Sequence, residues 1–342
     1  MPLRLRLGLS YVPCADPEVK LFRAVDGSEV QVVAADPARI DRTPIGGGSG
    51  LCEIVWGVED QATLAALAQD LGRDRRAEFD ADGTLHSVDD LGINLAFRIA
   101  QRKPLHFEAT RYNAPGQPQR INRRAPAYKV AMPREISHIA IGVDDAAEAA
   151  RFYIERLGFL VSDRYANRGL FMRCSPAGNH HHVFFMNARV PGTRFNHLAF
   201  KVRDIHEVIG GGQHLDSLGW KTFAGPGRHT ISSACFWYFQ TPFGGSWEYA
   251  ADEDIVTDEW EAQDFAAIAH IFSEWTFGLR NPTARSRGRF PQARNRSSNP
   301  FGFLIGCPLA HSLRRAWRAP LHLTSGSTRR VRIEPPTSPL LD

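Results

Sequence analysis

Three polar side chains sit inside three separated strand-like runs, and they constrain the fold of this chain more than any other feature. His138 lies in Glu135-Ile136-Ser137-His138-Ile139-Ala140-Ile141, His197 in Phe195-Asn196-His197-Leu198-Ala199-Phe200, and Glu248 in Gly245-Ser246-Trp247-Glu248-Tyr249. A polar group facing an apolar sheet is costly unless it is paired or bound to a metal. Two imidazoles and one carboxylate form a facial triad, which holds a divalent metal on one side and leaves the other side open. The three are 59 and 51 residues apart, so separate strands must bring them together. Taken singly, each has a plainer reading: a hydrogen-bonded core histidine, or a carboxylate at a strand edge. The argument rests on the three together.

Length and composition set the frame. At 342 residues the chain can bury a large core in two domains. Hydrophobic residues at 43% and charged residues at 23% are ordinary for a globular protein. No apolar run is long enough for a membrane span, and Met1–Leu7 lacks the apolar core and cleavage site of a signal peptide. Cys14, Cys52, Cys174, Cys235 and Cys307 form no CxxC pair, so neither a disulfide framework nor a zinc ribbon is indicated. A cytoplasmic location is expected, with no membrane partner. Residues 280–342 hold 12 Arg, no Lys, one Glu and one Asp, a net of +10 against +4 for the whole chain, so the preceding 279 residues carry −6. The basic balance belongs to the tail, and no nucleic-acid partner is expected.

The pattern along the chain is α+β. Leu7–Val12 reads as an opening strand, followed almost directly by a second strand-like run from Leu21. Leu51–Trp56 reads as a strand. Asp60 caps a helix running to Leu71, with Leu64, Leu67 and Leu71 on one face and Gly72 as its stop. Strands are expected at 76–80, 84–88 and 93–99. Five prolines between 104 and 133 mark a linker. A second helix starts at Asp144 or Asp145 and runs to Leu157, with Gly158 as its C-cap, and a third covers Ile205 to Leu218. The expected organisation is an N-terminal domain over 1–103, a linker over 104–134, a metal-binding domain over 135–260 and a C-terminal extension over 261–280. The basic tail, 281–342, shows no apolar period. It reads either as disordered or as a segment not under selection as a folded module.

Around the three ligands the sequence resembles a known family. His138 opens His-Ile-Ala-Ile-Gly-Val-Asp-Asp, followed by Arg151-Phe152-Tyr153 and Leu157-Gly158-Phe159; this is similar to a βαβββ module of the vicinal-oxygen-chelate superfamily. Asn196–Val202 resembles the start of a second module. Gly225-Pro226-Gly227-Arg228-His229, Phe236–Phe239, Thr241-Pro242-Phe243-Gly244 and Trp247-Glu248-Tyr249 resemble the C-terminal signature of type I extradiol ring-cleavage dioxygenases. The likeness covers roughly 134 to 260. It implies tandem βαβββ modules in a two-domain architecture. The first N-terminal module is then degenerate, about 25 residues short of the family's full module. Alignment puts Glu53 at the place of His197 and Ala96 at the place of Glu248, so the N-terminal domain is expected to hold no metal.

The resemblance also implies the chemistry. His138, His197 and Glu248 would bind Fe(II), with Mn(II) as the second choice. A histidine before the second ligand would handle protons: His182, with His181 as the fallback, because alternation in a strand beginning at His182 would point His182 and Phe184 the same way. His229 and Tyr238 would contact the catechol oxygens and stabilise developing charge. Each has a plainer alternative: a polar turn or an adventitious metal cluster for His180-His181-His182, a turn residue for His229, an aromatic core position for Tyr238. The implied partners are a catecholic substrate and O2, in an oligomer of identical chains, and the implied reaction is extradiol cleavage. The substrate class spans catechols, dihydroxybiphenyls, dihydroxyphenylacetates and trihydroxytoluenes. The competing readings are a glyoxalase-like isomerase, which typically needs a fourth protein ligand, and a non-catalytic small-molecule-binding protein of the same fold.

Overall fold

A computed structural model describes residues 7–36, 38, 42–266, 268 and 271–277, together with the backbone of a strand at 301–308. In chain order the first strands are β1 (Ser10–Val12), β2 (Lys20–Arg23), β3 (Glu29–Ala34) and β4 (Gly50–Val58). Helix α1 (Gln61–Leu71) follows, then β5 (Glu78–Phe79), β6 (Leu85–Val88) and β7 (Asn94–Ile99). The helix starts where its sequence predicts. Asp60 is extended and its side chain accepts the Thr63 amide at 2.8 Å. Gly72 caps the other end at φ −65°, an ordinary helical value, so the left-handed turn is not what calls for glycine. The reason is space: a Cβ there would stand 2.9 Å from the Ala68 carbonyl oxygen.

Residues 100–134 carry one short hairpin, β8 (Asn113–Ala114) with β9 (Gln117–Pro118). The second half contains β10 (Glu135–Val143), α2 (Ala146–Glu155), β11 (Leu160–Tyr165), β12 (Gly169–Arg173), β13 (Gly178–Asn179) and β14 (Val183–Asn187). It continues through β15 (Arg194–Lys201), α3 (Ile205–Ser217), β16 (Thr222–Arg228), β17 (Cys235–Gln240), β18 (Ser246–Ala251) and β19 (Ile255–Val256). Asp145 caps α2 by accepting from Ala147 and Glu148. The helix ends at Glu155, two residues before the expected Leu157. Gly158, at φ +72°, turns the chain beyond it rather than capping it. Among the described residues no helix is long and apolar enough to cross a membrane.

The larger sheet has ten strands and is built of two similar halves. Its order is β20-β11-β12-β14-β10-β15-β18-β17-β16-β21, where β20 (Gln263–Phe265) and β21 (Trp275–Thr276) come from the C-terminal extension and cover opposite edges. In each half the opening strand, β10 or β15, stands in the middle and pairs in parallel with the half's last strand after a helical crossover. The two opening strands pair antiparallel at the centre.

The smaller sheet runs β1-β2-β3-β22-β4-β7-β6-β5, where β22 is Phe301–Pro308. This corrects two expectations. Leu7–Val12 is not the opening strand of its module: Ser10–Val12 is an edge strand paired only with β2. An opening strand needs a crossover of a dozen or more residues, and the Pro13–Val19 connection is long enough only for an antiparallel neighbour. Nor is the tail irregular throughout, because 301–308 fills the central slot that the missing opening strand leaves. It runs opposite to its counterpart β10, antiparallel to β3 and parallel to β4. The run Phe301-Gly302-Phe303-Leu304-Ile305-Gly306-Cys307-Pro308 has no alternation, as expected of a strand between two neighbours in a covered sheet. The rest of 281–342 lies outside the described residues. One continuous apolar core joins both sheets, with Trp56 edge-on to Phe159 at 5.1 Å.

Candidate metal centre

The two opening strands and their neighbour assemble the ligands. In the β10–β15 ladder His138 pairs with Ala199, and Ala140 with His197. In the parallel β15–β18 ladder Ala199 pairs with Glu248, and in the β17–β18 ladder Glu248 pairs with Tyr238. The four polar side chains therefore share one face, with small Ala140 and Ala199 beneath them. The turn into β18 requires glycine: Gly244 has φ +84°, and a Cβ there would lie 2.4 Å from the Ser49 carbonyl oxygen.

The ligand atoms converge. His138 Nε2 lies 3.1 Å from His197 Nε2 and 3.3 Å from Glu248 Oε2, and His197 Nε2 lies 3.5 Å from Glu248 Oε2. All three residues are buried, Glu248 completely. His197 Nδ1 sits 2.8 Å from Asn196 Oδ1. That oxygen can only accept, so the proton is on Nδ1 and Nε2 presents a lone pair. Burial pushes the His197 imidazole down to about 3, so it is neutral at pH 7. Neither Glu248 oxygen makes a hydrogen bond. A buried carboxylate without a hydrogen bond costs several kcal/mol, and a divalent cation among these atoms would remove that cost. The donor set fits a metal.

His229 and Tyr238 stand at the same site. His229 Nδ1 donates to the Phe272 carbonyl at 2.8 Å, which leaves Nε2 to accept from the Tyr238 hydroxyl at 2.9 Å. His229 Nε2 is also 3.6 Å from Glu248 Oε1, and its ring stacks on Phe236 at 4.0 Å. Burial pushes the Tyr238 phenol well up, so it keeps its proton to donate.

The histidine run is arranged differently from the expectation. The His181 ring lies 4.0 Å from the His138 ring and 5.0 Å from Phe171, and Phe171 stacks face to face on Phe184 at 4.0 Å. The Nδ1 of His182 instead accepts from the Cys174 amide at 3.3 Å. Its charged surroundings are Glu253, Arg102 and Lys201, while Glu248 acts on His181. Strand alternation pointed to His182, but β14 begins at Val183. His181 lies in the turn before it, where alternation does not govern direction.

The remaining contributors carried no motif. Phe272, whose carbonyl orients His229, comes from a stretch recognisable only as acidic and aromatic. Glu253 and Ser137, beside His138, belong to no pattern. In the N-terminal sheet Val55 pairs with Ala96, as Ala199 pairs with Glu248, and Glu53 pairs with Asn94, as His197 pairs with Ser246. Glu53 Oε1 lies 2.8 Å from His86 Nδ1. Among the described residues, both groups of side chains placed to hold an ion include His138.

Residues 135–249 match the profile of the Glyoxalase/Bleomycin resistance protein/Dioxygenase superfamily. Metapyrocatechase 2 of Cupriavidus necator is 30% identical over 199 residues, 58% of this chain and 59% of that relative, so the match spans less than two thirds of the relative's length. Among solved structures, the Mn(II)-bound glyoxalase from Novosphingobium aromaticivorans gives a TM-score of 0.58 at 19% identity, covering 80% of this chain and 83% of that one. BphC, a halotolerant catechol dioxygenase, gives 0.58 at 19% identity, covering 81% and 88%. The 2,2',3-trihydroxybiphenyl 1,2-dioxygenase from Sphingomonas wittichii strain RW1 gives 0.58 at 17%, covering 80% and 90%. At such identities the structural likeness is one of fold.

Proposed function

Since the chain belongs, through residues 135–249, to the glyoxalase/bleomycin resistance protein/dioxygenase superfamily, we propose that it cleaves a catecholic ring by extradiol addition of dioxygen at a single Fe(II). His138, His197 and Glu248 hold the ion. The observation that carries this reading is a completely buried carboxylate with no hydrogen bond, beside imidazole nitrogens at 3.3 and 3.5 Å, with His181, His229 and Tyr238 around the same point. Three protein ligands leave positions open for a bidentate diol and dioxygen. A glyoxalase-like isomerase would call for a fourth protein ligand.

Iron held there would supply positive charge to bind vicinal oxygens and a path for electrons from the ring to dioxygen. The protein residues do the rest. His181, kept neutral by burial, takes a catechol proton and returns it as the oxygen–oxygen bond breaks. Tyr238 donates a hydrogen bond to a substrate oxygen as charge develops, and the bare Nε2 of His229 accepts from a substrate hydroxyl. Phe171 packs on His181, and Phe236 and Phe272 pack on His229, so these groups have apolar neighbours. The carbon–carbon bond beside the two hydroxyls breaks, and both atoms of dioxygen enter a ring-opened semialdehyde.

The test is anaerobic reconstitution with Fe(II), addition of a panel of catechols, then air. A yellow product with matching oxygen uptake is expected. Iron-loaded protein that takes up no oxygen with any catechol would sink the reading.

A further inference from the structure

Glu253 is a buried acid outside the ligand set, and its side chain is 1% exposed. The backbone is clamped so as to send it inward. After β18, Asp252 takes φ +58°. The Asp254 amide donates to the Ser232 carbonyl at 2.9 Å, and the Asp254 carboxylate accepts from the Ser233 hydroxyl at 3.1 Å. β19 then pairs with β13. The residue between these ties has only the interior to occupy.

There it meets two histidines. The Ser137 hydroxyl donates to Glu253 Oε2 at 3.1 Å, and Ser137 Oγ lies 3.3 Å from His138 Nδ1. His181 Nδ1 lies 3.1 Å from Glu253 Oε1, off the line of a hydrogen bond, so that oxygen has no hydrogen-bond partner. Ser137 can reach both neighbours because the β10–β15 register shifts between Ile136 and His138. A bulge brings adjacent side chains toward one side of a strand. The direction of the protons follows from the groups. A carboxylate only accepts, so the one hydroxyl proton of Ser137 goes to Glu253. Ser137 Oγ must then accept from His138, which places the His138 proton on Nδ1. Nε2, the atom facing His197 and Glu248, is left as a bare lone pair.

We propose that Glu253 is a positioning residue for the metal centre, holding His138 through Ser137 in the tautomer and orientation that binds a divalent ion, with its second oxygen set against His181. The proposal rests on the metal site of the preceding section and not on the identity of the substrate. Partners of this kind change metal affinity when removed, commonly about 10–100-fold. His138, His181 and Glu253 also lie close enough together to suggest a second cation site, but a proton on His138 Nδ1 bars that nitrogen from coordination.

The test is titration of the full chain with Mn(II) alone, followed by the spin-resonance signal of free ion, for the wild type, Glu253→Gln, Ser137→Ala, their double variant and Ser137→Thr. Melting temperatures check the fold. One ion per chain is expected. Each single variant should weaken Mn(II) binding about 10–100-fold at nearly unchanged melting temperature. The double variant should weaken it no further than the worse single one, since both break one relay. Ser137→Thr, which keeps the hydroxyl, should restore binding. Unchanged Mn(II) affinity in folded Ser137→Ala and Glu253→Gln, or two ions per chain, overturns the proposal. If Glu253→Gln fails to fold, Ser137→Ala decides alone. Wild-type protein that binds Mn(II) with these dependences but cleaves no catechol after loading with Fe(II) would refute the proposed function and leave this inference standing.

Discussion

Truncation after Arg280 tests the least expected feature of the fold, the strand at 301–308 in the middle of the smaller sheet. That strand faces β3 over six residue pairs and β4 over seven. At about one ladder bond per pair and ~0.5–1.5 kcal/mol net for each, the two ladders contribute of order 10 kcal/mol. Freeing eight residues returns ~1–2 kcal/mol each in backbone entropy, so these terms nearly cancel. What decides the outcome is connectivity. Among the described residues, β22 is the only ladder between the β1–β3 unit and the rest of its sheet. Without it β3 and β4 stand two strand spacings apart, ~9.5 Å. The unit would keep four backbone-donated ties, from the Val25 amide to Pro133, the Asp26 amide to Arg134, the Lys103 amide to Asp26 and the Ile136 amide to Ser28 Oγ, and the ion pairs of Arg98 with Glu29 and Arg102 with Asp26. At ~1 kcal/mol for each hydrogen bond and less for each half-exposed ion pair, they hold its opening to ~4–5 kcal/mol, or ~10³-fold protection. A core protected by global unfolding at ~10 kcal/mol would give ~10⁷-fold. Hydrogen–deuterium exchange should therefore show the amides of 10–34 losing up to ~10⁴-fold of their protection in the truncated chain. The 135–251 sheet should keep its protection and its metal. The two bare edges should also make the truncated chain prone to association. Equal protection of 29–34 and 50–58 in both chains would refute the placement of 301–308.

Four further outcomes are expected. His138→Ala, His197→Ala and Glu248→Ala should each abolish iron binding measured by metal analysis while the far-ultraviolet dichroism stays native; a variant that keeps full iron content removes its residue from the ligand set. His181→Phe should keep iron but lose ~10²-fold or more in turnover, with His182→Phe the milder of the two; the reverse order in single-turnover kinetics would return the proton-handling role to His182. Glu53 and Asp80, 2.8 and 3.2 Å from His86, together overcome its burial and raise its imidazole to about 9. The stabilisation is complete below the unfolded value near 6.5 and is lost as pH rises through 9, so His86→Gln should cost roughly 1–2 kcal/mol at pH 6 and almost nothing above pH 10; urea melts showing the same cost at both pH values would contradict this. Cleavage should fall beside the hydroxyls, since no tyrosine stands at a ligand position; a colourless dicarboxylic muconate as the sole product by mass spectrometry would exclude the extradiol course.

The helices, and the three side chains that converge on one point, were legible because their signals are local. Asp60 and Asp145 mark helix starts through hydrogen bonds made within three residues. The three metal-site residues stood out because an imidazole or a carboxylate inside an apolar strand needs a partner wherever it occurs. Even the positions equivalent to the ligands in the N-terminal sheet were readable, since Glu53 and Ala96 fall at the registers of His197 and Glu248. The preference for His182 over His181 rested on strand alternation, and His182 lies one residue before the strand begins.

What the sequence determined by itself, then, is the set of elements and the kinds of donor atoms they carry, because periodicity, caps and side-chain chemistry belong to short segments. Only the tertiary structure decided the pairings across distance. The run 301–308 becomes a central strand because β3 and β4 leave a gap between them. Phe272 orients His229 because the extension returns along the edge of the larger sheet. Glu253 reaches Ser137 because the backbone turns at Asp252 and is tied at Asp254. Each of these depends on which unsatisfied hydrogen-bonding groups come within reach once the sheets have closed, and no window of sequence contains both partners.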